Sequence, residues 1–299
     1  MTLPFQGMEI TAYIRPVEYL INYMRAAINT RYGPPEVVKL LDVEKPTPKE
    51  NEVLVKVHAT TVNRTDCGFR SAEYFISRFF SGLLRPKFHT LGNEFAGVIE
   101  AVGPGVKLFT VGDRVFGYND ESFGAHAEYL TLAEQAAIAI MPGNFTYEQA
   151  APLCEGSHYA LCSLRAAQVQ SGHNVLVYGT TGAIGSAAVQ LAKHFGATVT
   201  AVCATPNVAL VKSLGADVVI DYTKQDFTKP DQTFDFAFDA CGKSSFTACK
   251  PLLPKTASTF QPSSGIGAPI SGWRLPPPFL VARRYYFPFQ PSPMPTFFS

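Results

Sequence analysis

The chain has 299 residues, with 25 Lys and Arg against 24 Asp and Glu, 46% apolar residues and only 16% charged ones. So even a charge balance argues against the basic surface excess of a nucleic-acid or acidic-membrane binder, and the length allows one large or two medium domains with a core that needs no disulfide or metal. Cys67, Cys154, Cys162, Cys203, Cys241 and Cys249 are scattered with no Cys-x-x-Cys pair, a usage that predicts reduced thiols and a cytoplasmic protein. No stretch reaches the ~20 apolar residues of a membrane span, and the first residues carry no apolar run leading to a small-residue cleavage site. Charge and proline are unevenly spread. Residues 251–299 hold 11 of the 23 prolines and four charges, all basic, and no Asp or Glu follows Asp239.

From Asn51 onward the text reads as strands. NEVLVKVHATTV sets Val53, Val55 and Val57 against Leu54, Lys56 and His58, and EFAGVIEAVG and VGDRVFGY follow with glycine punctuation, which predicts a β-rich first domain. Near Thr146 the period changes. YEQAAPLCEGSHYALCSLRAAQV has helical spacing, NVLVYG reads as a buried strand, TTGAIGSAAVQLAKHFGA as a loop entering a helix, and TVTAVCA as a second strand. NVALVKSLGA then reads as a helix, with VVIDYT and FDFAFDAC as further strands. Strand and helix units alternating at this length predict a doubly wound parallel sheet.

Gly179, Gly182 and Gly185 form a G-x-x-G-x-x-G pattern between the predicted strand and helix. Glycines there let the backbone turn sharply, approach a pyrophosphate and pack helix on sheet, and the free N–H groups of the helix start bind phosphate. Gly179, Thr180, Thr181, Gly182, Ala183, Ile184 and Gly185 are therefore candidate cofactor residues. A dinucleotide site that prefers NAD wants an acid about 20 residues further on. None lies between Thr180 and Ala216, and Cys203, Ala204, Thr205 and Asn207 stand there instead, which leaves room for a 2′-phosphate and predicts NADPH.

With these motifs in order, the chain resembles the medium-chain dehydrogenase/reductase superfamily, in particular its zinc-free quinone-oxidoreductase-like branch. The segments that carry the resemblance are RYGPPEVVKL (31–40), VNRTD (62–66), LGNEFAGVIEAVGPGV (91–106), VGDRVFG (111–117), AAPLCEGSHYAL (150–161) and GTTGAIGSAAVQLAKHFGA (179–197). The resemblance implies a β-rich GroES-like substrate domain over 24–147 and a Rossmann domain over 148–255. It also implies a zinc-independent reductase of quinones or α,β-unsaturated carbonyls using NADPH; the alternative is a catalytically impaired protein of the same fold that binds nucleotide or a partner. Tyr222 falls where similar enzymes place a tyrosine near the 2′-phosphate, Asn207 takes the place of a basic side chain, and Gly242 lies in the loop under the nicotinamide.

In similar zinc enzymes the metal sits on a Cys three residues before an Asp, a His in Gly-His-Glu and a further Cys. Here those positions are Asn63, Asn93 and Cys154, and one thiolate is too few for a zinc site that normally has three protein ligands. Hydride transfer to an enone then needs hydrogen-bond donors for the developing enolate and a proton source. Asn63 and Asn93 are the candidate donors. Tyr74 and His158 are candidate proton sources, the latter with a packing role as its bland alternative. Asp66, Arg64 and His126 are expected to be structural. The family is often homodimeric through the edge of the nucleotide-domain sheet, which falls here in an altered segment, so the expected partner is a small-molecule substrate.

Both ends depart from the family. Residues 1–23 precede a family-like start at Met24 and are expected to be an upstream extension. After KPLLPK, related chains continue as Lys-Asn-Gly-Ile-Tyr-Ile-Ser where this chain has KTASTFQ. Loss of one A from AAA AAC GGC ATC TAC ATT TCA gives a string read as Lys-Thr-Ala-Ser-Thr-Phe and a Gln-compatible CA. A frameshifted, Pro-rich ending over 256–299 is the resulting expectation, with an unpaired sheet edge as its consequence. The rival reading of that ending is a Pro-rich ligand for a partner domain.

Overall fold

The computed structural model describes residues 22–73, 78–229, 233–242, 252–253 and 260–262. An outer hairpin comes first: β1 (Tyr23–Ile28) pairs antiparallel with β2 (Lys39–Glu44). Then come β3 (Glu52–Thr60), helix α1 (Arg64–Ser71), β4 (Glu94–Val102), β5 (Arg114–Tyr118), β6 (Tyr129–Ala133) and β7 (Ala137–Ile140). These strands make a five-stranded antiparallel sheet in the order β6-β3-β4-β5-β7. Its inner face is closed by Val53, Val55, Phe95, Ile99, Val115, Leu130 and Leu132, all buried. The alternation expected for β3 holds from Val55 to Thr60, but Leu54 is buried as well, so the first half of this central strand is covered on both faces.

The predicted helix over 147–169 is divided. A turn at Tyr147–Ala150 and a 3-10 turn at Ala151–Leu153 precede α2 (Cys154–Ala166). Pro152 sits in the first turn of that 3-10 segment, where its missing N–H costs nothing. Beyond α2 the chain alternates β8 (Asn174–Tyr178), α3 (Ala183–His194), β9 (Thr198–Cys203), α4 (Val208–Ser213), β10 (Val218–Asp221) and β11 (Phe236–Asp239). All pairings in this second sheet are parallel, in the order β10-β9-β8-β11-β12, where β12 is Phe260–Pro262.

A parallel sheet must be covered on both faces, and this one is. Val175, Val177, Val199, Ala201, Phe236 and Phe238 face α2 and α3, while Leu176, Val202, Ile220, Ala237 and Leu252 form the opposite layer. The order reverses between β8 and β11, so the loops after these two strands flank the crevice where open α/β sheets bind ligands. Past residue 255, where the Rossmann domain was expected to end, Ala237, Phe238 and Asp239 pair with Phe260, Gln261 and Pro262. A further strand, β12, therefore lies beside β11. The helix expected over KSSFTACKPLL lies outside the described residues, apart from Leu252 and Leu253.

Helix α3 lies tightly on β8 because two glycines meet. A Cβ on Gly185 would come within 2.2 Å of the Gly179 carbonyl oxygen, and Gly179 itself has a φ of 81°. Gly185→Ala is expected to lower stability by about 1–3 kcal/mol, the usual cost of overpacking. Thermal unfolding followed by circular dichroism checks it, at about 2–4 °C per kcal/mol for a chain of this size.

Candidate active site

Asn63 caps α1. Its Oδ1 accepts from the Asp66 N–H at 3.1 Å, and the Asp66 carboxylate accepts from the Asn63 N–H at 3.1 Å, a reciprocal capping box. The other Asp66 oxygen accepts from the Gly92 N–H at 2.9 Å, and His126 Nε2 lies 3.7 Å from Asp66 and 2.7 Å from the Thr61 carbonyl. Burial pushes the Asp66 carboxyl up, against the opposing pull of His126 and the two backbone N–H groups. Asp66 and His126 therefore hold the start of α1 against the loop that leads into β4. Arg64 is exposed.

This scaffold aims a chain of side chains across the two domains. Asn63 Nδ2 donates to Asn93 Oδ1 at 2.6 Å, and Asn93 Nδ2 donates to Glu155 Oε1 at 3.1 Å. Thr65 donates to the same Glu155 oxygen at 2.5 Å. Glu94, buried, receives the Thr61 hydroxyl at 2.7 Å and the Glu155 backbone N–H at 2.6 Å. Burial pushes the Glu155 carboxyl up, and the Thr65 and Asn93 donors only partly offset this. The two candidate amides are not equivalent. Asn93 is fully buried with both ends of its amide engaged, so it orients Asn63 rather than facing a substrate. Asn63 is half-buried, and among the described residues its second amide hydrogen reaches only the Thr61 hydroxyl at 3.5 Å.

Glu155, His158, Tyr159 and Cys162 follow one another at i, i+3, i+4 and i+7 and share one face of α2. The neighbouring face packs on α3, where a Cβ at Gly156 would come within 2.7 Å of the Ala183 backbone. His158 lies 5.3 Å from the Tyr118 ring and 5.7 Å from the Tyr159 ring, with Cys162 Sγ 3.9 Å from its Nε2. Burial lowers its pKa, so it is a neutral imidazole at pH 7. Tyr118 and Tyr159 were missed in the sequence. Only the i, i+4 spacing of Tyr159 from Glu155 could have pointed to the latter. Tyr74 lies outside the described residues.

At the other end of the crevice, Gly182 caps α3, and a Cβ there would meet nothing within 4 Å. Thr181, Gly182 and Ala183 are exposed and Ile184 is half-buried. Thr180 differs from them: it is fully buried and its hydroxyl donates to the Val202 carbonyl at 3.2 Å, tying the turn to β9. Gly242, with a φ of 66°, gives its N–H to Asp239 Oδ1 at 2.9 Å, and the adjoining Cys241 packs against Gly179. An open, glycine-lined surface at a helix start suits a dinucleotide pyrophosphate.

Beyond β9, Thr205 and Asn207 lie in a short 3-10 turn, and Tyr222 is 49% exposed beside a shallow depression lined by Tyr178, Lys224 and Phe227. The residues directly after β9 carry no acid. The structure supplies one from the next strand: Asp221 is the register partner of Cys203 and accepts the Thr205 hydroxyl at 2.5 Å. Hydrogen bonds from Thr205 and Thr223 hold its carboxyl down at about 2.

A β-rich domain set against a parallel sheet whose glycine turn opens beside it defines a two-domain dehydrogenase architecture. Residues 49–142 match the alcohol dehydrogenase GroES-like domain family and residues 183–259 the zinc-binding dehydrogenase family. The chain is 37% identical over 230 residues to the 2-methylene-furan-3-one reductase of Solanum lycopersicum, which spans 74% of this chain and 58% of that protein. It is 35% identical to the chloroplastic NADPH-dependent alkenal/one oxidoreductase of Arabidopsis thaliana, over 73% of this chain and again 58% of the relative. Among solved structures, an alcohol dehydrogenase superfamily protein from Novosphingobium aromaticivorans superposes with a TM-score of 0.68 at 31% identity, covering 77% of this chain and 69% of that one. The quinone oxidoreductase of Coxiella burnetii gives 0.70 at 29% identity, covering 79% and 77%. The chain belongs to the medium-chain dehydrogenase/reductase superfamily, in its quinone-oxidoreductase-like branch.

Burial, with Glu94 adding a smaller effect, pushes the Cys154 thiol up to about 12, which leaves roughly one part in 10⁴ as thiolate at pH 8. Iodoacetamide is expected to label exposed Cys67 and to spare Cys154 until the protein is unfolded. Peptide mass spectrometry at native and denaturing guanidinium concentrations reads the difference.

Proposed function

We propose that the protein is a zinc-independent, NADPH-dependent reductase of α,β-unsaturated carbonyls or quinones. The observation that carries this reading is the Asn63–Asn93 amide pair, backed by Glu155, at two of the positions where similar zinc enzymes hold their metal. Two carboxamides bonded to each other and one protonated thiol, Cys154, do not offer zinc the three ligands it normally takes. They do offer a fixed N–H donor. A bound nicotinamide would supply the hydride. Asn63 then turns its second amide hydrogen, held only weakly by the Thr61 hydroxyl, to the carbonyl oxygen, where negative charge grows as the hydride arrives. Asn93, held by Glu155, keeps that amide from rotating, and the capping box fixes the residue that carries it. Thr181, Gly182 and Ala183 hold the pyrophosphate with backbone N–H groups, while Gly179 and Gly185 shape the turn.

The preference for NADPH rests on Tyr222, Asn207 and the absence of an acid at the end of β9, together with the NADPH dependence of the Arabidopsis relative. Asp221 opposes it. Its charge is balanced by Thr205, Thr223 and Lys224, whose Nζ lies 3.4 Å away. NADPH is expected to bind more tightly than NADH in a fluorescence titration. Asp221→Asn should widen that preference several-fold, because one like charge beside the 2′-phosphate is removed. No NADPH binding at millimolar concentration would overturn the proposal.

Asn63→Ala is expected to lower kcat for an enone by about 10²–10³-fold, the range for one oxyanion donor, while the Kd for NADPH stays close to wild type. Steady-state kinetics beside the same titration separates the two effects. NADPH binding by the wild type without turnover on any enone or quinone would favour the catalytically impaired alternative.

A further inference from the structure

Reduction of an enone needs two particles that differ in origin: a hydride at the β-carbon and a proton at the α-carbon. The carboxamide relay explains the stabilised oxygen but supplies no acid. Neutral His158 is poorly placed to donate, because its Nε2 faces Cys162 Sγ at 3.9 Å. The same face of α2 carries a better group. Tyr159 accepts the Tyr118 hydroxyl at 3.3 Å, and the Tyr118 hydroxyl also lies 3.2 Å from Asp120 Oδ2. When Tyr118 donates to Tyr159, the Tyr159 proton has no acceptor among the described residues. Tyr118 is buried at the end of β5, directly across from Glu94 in the sheet register, and Asn119 N–H donates to the Asn93 carbonyl at 2.7 Å. The two phenols therefore stand beside the amide relay, on the side of the crevice formed by α2 and β5.

We propose that Tyr159 is the acid that protonates the α-carbon, with Tyr118 and Asp120 as the path that restores its proton. The inference rests on the reductase reading above. Hydride brings both electrons of the new C–H bond to the β-carbon, and the former π pair moves to leave an enolate held at oxygen by Asn63. The enolate α-carbon takes the proton from Tyr159 Oη, forming the second C–H bond and a tyrosinate. Tyr118 Oη passes its own proton to that tyrosinate and regains one from solvent along the Asp120 edge. The sum is one hydride and one solvent proton added across C=C. A phenol is a far stronger acid than a ketone C–H, so the transfer to carbon runs downhill, and the Tyr118 donor stabilises the tyrosinate while it exists. A quinone is different: its reduction product carries charge on oxygen, which bulk water protonates without a placed acid.

Tyr159→Phe keeps the ring and removes one hydroxyl. Turnover of an enone and of a quinone is measured on wild type and variant with saturating NADPH, with the solvent deuterium isotope effect on kcat and the Kd for NADPH as companions. The expected result is a fall of at least about a hundredfold in the ratio of enone to quinone turnover, the low end of the loss of a general acid, with a larger solvent isotope effect and NADPH affinity near wild type. An unchanged ratio and isotope effect, with wild-type enone activity present, overturns the Tyr159 assignment and leaves the reductase reading standing. A wild type that binds NADPH but turns over neither acceptor overturns the reductase reading and this inference with it.

Discussion

The half-buried, hydrogen-bonded carboxylate of Glu155 is the interaction on which the site depends. It sits on the first turn of α2, a helix that packs on the nucleotide-side sheet, yet its donors Thr65 and Asn93 belong to the β-rich domain. Its backbone N–H completes the link by donating to Glu94. A carboxylate withdrawn from water on one side is costly unless hydrogen-bonded, so the two domains are held in one register wherever these bonds are made. Everything that faces the crevice follows from that register: the angle of Asn63, the approach of Tyr118 to Tyr159, and the stacking of Gly156 on the first residue of α3.

Glycine does the complementary work on the other side. Gly179 and Gly185 let α3 start within contact of β8, Gly156 lets α2 lie on the start of α3, and Gly182 leaves the surface above open. The cofactor end is thus built from missing side chains, and the substrate end from side chains fixed by one another. A polar network of this kind is rigid only when each member is satisfied, and Asn93, with both amide ends used, is the member that transmits the constraint.

Much of this was legible in the residues. Alternating strand and helix periods gave the parallel sheet, because each β strand is a short buried run and each helix has one apolar face. The glycine turn and the Asn63, Asn93 and Cys154 positions stand out in the residues as local features, since their meaning depends on near neighbours. What escaped notice was long-range. Asp221 is 16 residues from Thr205 in the chain but bonded to it, because a parallel neighbour, β10, ends beside β9. Tyr118 and Tyr159 meet across 41 positions, which no local period encodes. Thr180 looked like a phosphate ligand by its place in the turn, yet faces the sheet, since a buried strand end has room for one hydroxyl only if it finds a carbonyl.

The last described strand has a consequence for the surface of the molecule. Phe260–Pro262 is three residues long and lies outermost among the described strands on that side of the sheet. An outer strand normally presents a row of backbone donors to any passing chain. Proline has none, and here it stands opposite Asp239, at the end of the ladder that borders the crevice. Among the described strands, the outermost position beside the ligand-binding loops therefore offers no backbone donor to a further strand.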